Sequence, residues 1–182
     1  MNKIQATSRI LSHFFKFLCW FLPLLTAYLI LFKLPKLLDL ISFILTMPSV
    51  PILNGAPPHF SFLQRLVILA IQLLPLSMTT LICYKLAKLF QLYEKGMLFE
   101  QINIKLIKSI SIYMLAGEAI QLIYQPLMTI ALTFHNPPGQ RMASITLGST
   151  NLSTLITAVI ILFASWVVKE ANQLKLDAQL TI

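Results

Sequence analysis

Glu118 is the residue best placed to do chemistry in this sequence. It stands about ten residues inside an otherwise apolar stretch, where an ionisable side chain costs roughly 2.5–3.5 kcal/mol and has to be protonated or paired. Ser111, Gln121, Gln125 and Thr129 share its face if the stretch is helical, because the steps from Ser111 through Glu118 to Thr129 are seven, three, four and four residues. A stripe of this kind can carry a proton or cation relay, which would make the chain a small transporter or channel component. The competing reading is an interhelical hydrogen-bond cluster with Gln72, Ser77, Thr79 or Thr80. The second is preferred, since no other acid lies inside an apolar stretch long enough to span a membrane and no internal repeat of the transporter type is visible.

The remaining reactive residues are scattered. His13, His59 and His135 fall at or beyond the ends of apolar stretches, and with Asp39 as the one acid on the side of the last two they make no metal site. Cys19 and Cys83 lie in apolar surroundings without CxxC spacing and read as buried free thiols. Spacings that cradle a nucleotide or build a hydrolase site do not occur. We therefore expect no metal, no cofactor and no enzymatic activity.

A second feature is a basic collar. Lys85, Lys88, Lys95, Lys105 and Lys108 are interleaved with Phe90, Tyr93 and Phe99. Contact with anionic lipid and locking of topology is the preferred account, and a docking surface for a cytoplasmic protein is the functional alternative. Gly96 is placed to stop a helix at positive φ, and Asn103 to cap or hydrogen-bond the resulting turn.

The elements that must position these residues follow from composition. Of 182 residues 57% are hydrophobic and only 11% charged, with a mean hydropathy of +0.80, which excludes an ordinary water-soluble core. The net charge of +8 is spread along the flanks of apolar stretches instead of crowding one soluble face, so direct nucleic-acid binding is not expected. Four stretches are long enough to cross a bilayer as helices, at about 12–34, 62–84, 108–134 and 150–168. The expected fold is all-α: a single integral-membrane domain of four bundled helices. Pro23, Gly117 and Pro126 mark points of bending, and the second helix should run on to Gly96. Residues 37–47 are too short to cross and read as an interfacial or re-entrant segment. The first stretch is followed by Lys33-Leu34-Pro35-Lys36, unlike a cleaved leader, and is read as the first span.

Basic residues set the orientation. With the N-terminus inside, three precede or open the first span, five lie in the 85–108 region and two in the 169–182 tail, against Lys33, Lys36, Arg65 and Arg141 outside. Ten against four favours both ends in the cytoplasm, in a multi-pass protein of a bacterial inner membrane. Self-association in the bilayer is compatible with this pattern.

The stretch 86–112 carries Leu89, Phe90, Tyr93, Gly96, Phe99 and Asn103 in the spacing Leu-Phe-x-x-Tyr-x-x-Gly-x-x-Phe-x-x-x-Asn, and the chain finishes Gln179-Leu180-Thr181-Ile182. Both features resemble the bacterial family of small four-span membrane proteins called domain of unknown function 2975. The sequence departs from the family pattern at Glu100-Gln101-Ile102 and in carrying Glu118. The resemblance implies four spans throughout the chain, an unassigned biochemical role, and, from the helix-turn-helix regulators often encoded beside such proteins, a soluble regulator as partner. The expected role is a membrane-bound interaction or regulatory partner of a cytoplasmic protein.

Overall fold

Long apolar runs leave the backbone one way to satisfy its own polar groups without water, the α-helix. The computed structural model describes residues 3–34, 60–97, 100–134, 136–137, 139–146 and 149–180, with the backbone alone for 149–150 and 175–180. Four long helices account for most of these: α1 (Lys3–Tyr28), α2 (Phe62–Glu94), α3 (Gln101–Thr133) and α4 (Ser149–Leu180). No strand occurs among the described residues. Each helix is long and apolar enough to cross a membrane. At 33 residues α2 and α3 are each about 50 Å long, against about 30 Å for a hydrocarbon core.

Several helix bounds differ from those expected. The third helix begins at Gln101, seven residues before Lys108, whereas α4 runs on from the fourth apolar stretch into the polar tail, as expected, and ends at Leu180. The second helix ends at Glu94, just short of Gly96. Helix α1 passes through Pro23 and widens at Leu29–Lys33 into a π-helical turn, while α3 passes through Gly117 and Pro126. The 37–47 segment, Phe99, Asp39, His59, His135, Thr181 and Ile182 lie outside the described residues.

The chain divides into two compact units, Met1–Cys19, Met78–Glu118 and Ser149–Ile182 forming the first, Trp20–Ser77 and Ala119–Gly148 the second. In the first unit Leu89, Leu106 and Ile110 form a core, with Ile82, Leu86 and Tyr93 against it. In the second, Ile30, Leu34, Ile68, Tyr124, Met128 and Leu132 do so. Arg65 holds the end of the wide turn there, its Nη1 donating to the Leu31 carbonyl at 2.6 Å and its Nε to Phe60 at 3.3 Å. On Leu31, in the last helical turn, the guanidinium is a favourable charge-assisted cap, and its second bond ties that turn to the residue before α2.

Beside these apolar cores, small polar residues are buried and many large apolar ones are exposed. Ser8, Ser12, Thr26, Gln72, Ser111, Thr129, Thr133 and Ser165 are buried, while Trp20 is 77% exposed and Leu63 71%. Small hydroxyl-bearing residues between helices and large apolar ones outside are what a hydrocarbon solvent selects.

Candidate functional site

The turn joining α2 to α3, in the first unit, is built from its ends. Gly96 has φ of +80°, and its amide donates to the Tyr93 carbonyl at 3.0 Å while that of Met97 reaches back to Leu92 at 3.0 Å. These two bonds with a left-handed glycine complete a helix C-terminus, and the positive φ is the reason for glycine here. Asn103 sits in the first turn of α3, 2% exposed, and its Nδ2 donates to the Met97 carbonyl. Its amide closes on Glu100 at 2.9 Å, while its Oδ1 is shielded and has no partner among the described residues.

Of the collar's aromatic residues, Phe90 and Tyr93 pack against their neighbours in this unit. Phe90 stacks on Phe15 of α1, ring centres 5.7 Å apart and nearly parallel, and Tyr93 meets Phe90 edge-on at 6.1 Å. Leu89 is buried in the core. The Lys85 ammonium lies 6.0 Å from the centre of the Tyr113 ring, at the limit of a cation–π contact. Lys88, Lys95, Lys105 and Lys108 are exposed. The collar thus separates into packed aromatics and an exposed basic surface. An ion pair that the sequence reading missed, Arg9 to Glu94 at 2.7 Å, ties α1 to the end of α2. Eighty-five residues of separation hid it, and with Arg9 54% exposed it contributes at most about 1 kcal/mol.

The polar stripe on α3 divides between the two units. In the first, Ser111 is fully buried and donates to the Ala158 carbonyl, and Glu118, half-buried, accepts from Asn151 Nδ2 at 2.8 Å. Both partners belong to α4, whereas the sequence reading sought them on the second helix. Here Asn is the donor that a carboxylate among helices requires.

In the second unit, Gln125 and Thr129 bind backbone. Gln125 donates to the Thr146 carbonyl at 3.0 Å and accepts from its amide at 2.5 Å; Thr129 accepts from the Ser144 amide at 3.1 Å, and Thr133 from that of Met142 at 3.1 Å. The geometry explains the regularity: four helical residues advance about 6.0 Å and two extended ones about 6.6 Å, so side chains one turn apart meet alternate amides. Thr133 continues the four-residue spacing and was missed because the stripe was closed at Thr129. Gln121 is half-buried. Gln72, expected to face the stripe, accepts from the Tyr124 hydroxyl at 2.6 Å. Cys19 and Cys83 are free thiols, Cys83 buried and Cys19 half-buried. No group of three metal-ligating side chains occurs among the described residues.

Fold and site together define a class: an all-α protein with four helices each able to span a membrane, and a glycine-closed turn between the second and third. Residues 49–182 match the family model described as "Protein of unknown function (DUF2975)", and the chain belongs to that family. The match takes in α2, α3 and α4, and α1 precedes it. No curated protein and no solved structure matches the chain.

Proposed function

We propose that this is a multi-pass protein of a bacterial inner membrane, bundled from four helices with both ends in the cytoplasm. It has no catalytic activity of its own and presents the α2–α3 turn to a soluble regulator of the helix-turn-helix type. One observation carries the reading. The family-pattern residues Leu89, Phe90, Tyr93, Gly96 and Asn103 are occupied in building the turn, while Lys88, Lys95, Lys105 and Lys108 stand exposed around it. A turn flanked by exposed cations suits an acidic protein surface. Crosslinking in native membranes, followed by mass spectrometry, tests it. A helix-turn-helix protein should be joined to the 85–108 region, and Lys88→Glu with Lys95→Glu should lower that crosslink at least tenfold while the chain stays in the membrane fraction. An unchanged yield would remove the basic rim from the mechanism.

The alternative, a small transporter or channel component working through Glu118, is separated by Glu118→Gln. A glutamine oxygen still accepts from Asn151, so a packing role predicts stability within about 0.5 kcal/mol of the parent and unchanged proton uptake by vesicles. Loss of proton uptake at unchanged stability would move the assignment to transport.

A further inference from the structure

The second unit contains an apolar groove that the polar stripe and the turn do not use. It has a volume of about 510 Å³, within the usual size of ligand sites, and runs between the N-terminal part of α2 and the C-terminal part of α3. Leu63, Val67 and Ile71 line one wall, Leu127, Ile130 and Phe134 the other. The spacing on each helix is that of a single face, and from Ser61 to Ile71 the groove follows α2 for about 15 Å, a length suited to an extended hydrocarbon chain. Five of the six wall residues are exposed, so nothing in the described chain fills it.

An arginine stands beside the wall residue Phe134 at one end of the groove. The Arg141 guanidinium lies over the Phe134 ring at 5.1 Å from the ring centre, and its Nε donates to the Asn136 carbonyl at 3.3 Å. No described residue engages the two Nη groups. Helix α2 begins at the same end, and its first turn holds no acid. Among the described residues of this unit Lys33, Arg65 and Arg141 carry charge and no carboxylate does.

We infer that the groove holds one acyl chain of an anionic phospholipid, with the phosphate at Arg141 and the N-terminus of α2. The apolar wall supplies affinity for a hydrocarbon tail, and the guanidinium selects the headgroup as basic pockets between membrane helices do. This rests on the reading that the helices lie in a bilayer.

The test uses the purified full-length protein in mild detergent with an equimolar mixture of phosphatidylglycerol and phosphatidylcholine, and counts retained lipid by native mass spectrometry. The parent should retain phosphatidylglycerol about fivefold over phosphatidylcholine. Arg141→Gln should bring that ratio near one with total uptake preserved, and Val67→Trp, which places an indole in the groove from an exposed position, should lower both lipids. A ratio near one in the parent, a ratio unmoved by Arg141→Gln, or uptake unmoved by Val67→Trp would each overturn the site. Alkaline carbonate extraction of the same chains reads the bilayer assignment separately. Release into the supernatant refutes membrane insertion itself, whereas retention without lipid preference refutes only the groove.

Discussion

Tyr124→Ala will unfold more readily than the parent by about 2–3 kcal/mol. Tyr124 is fully buried at the centre of the second unit's core, against Ile30, Ile68 and Met128 among others. Removing a buried aromatic from a soluble core costs about 3–5 kcal/mol, part of which is transfer from water. In a bilayer the unfolded helices stay in hydrocarbon, so that part shrinks and the lost dispersion contacts remain. Tyr124→Phe keeps the ring and removes only the bond to Gln72, so about 0.6–1.7 kcal/mol is expected. Helicity followed against sodium dodecyl sulfate fraction in mixed micelles measures both. Equal values for the two variants would show that the hydroxyl matters and the ring does not.

Asn103→Ala should destabilise the α2–α3 turn by about 0.5–1.5 kcal/mol, the net contribution of its one hydrogen bond to the carbonyl of the exposed Met97. This turn is outside the apolar spans in the proposed topology, so aqueous magnitudes apply. Asn103→Asp should be worse, since a carboxylate replaces the amide that donates to the Met97 carbonyl and is itself buried. Gly96→Ala should cost about 1 kcal/mol from φ alone, because a Cβ there meets its nearest neighbour, Gln5 Nε2, at an ordinary 3.4 Å. Both changes act on one turn, so the double variant should lose less than the two losses added. Limited proteolysis and hydrogen exchange at 95–104 read this directly. Strict additivity would separate the glycine from the asparagine.

The four helices were legible because each is a long apolar run of the length that crossing a bilayer requires, and Gly96 was legible because helices commonly end on positive φ. Helix starts were less so: Gln101 to Lys108 is polar enough to read as loop, yet Asn103, Ile104 and Leu106 are buried and draw the segment into α3. The site was legible in its residue types and not in its partners. Periodicity places Glu118 on a face, but which helix offers Asn151 to that face is a matter of packing. Likewise Phe15 and Phe90 lie 75 positions apart, and no local rule pairs them. The groove escaped notice because Leu, Val and Ile at four-residue spacing look the same whether they meet a helix, a lipid or nothing.

The contact of Gln125, Thr129 and Thr133 with Thr146, Ser144 and Met142 has a consequence for how this stretch tolerates length change. Alternate residues of 142–146 face α3, so deleting or inserting one residue would exchange the facing set for the averted one and break every rung at once, as a one-residue slip does in a sheet. A two-residue change keeps parity and moves the chain along by one rung. Because the two repeats differ by about 0.6 Å per step, mismatch accumulates and the pairing limits its own length to a few rungs. The segment from 142 to 146 is therefore register-locked in the manner of a β-strand, although what it pairs with is the side of a helix.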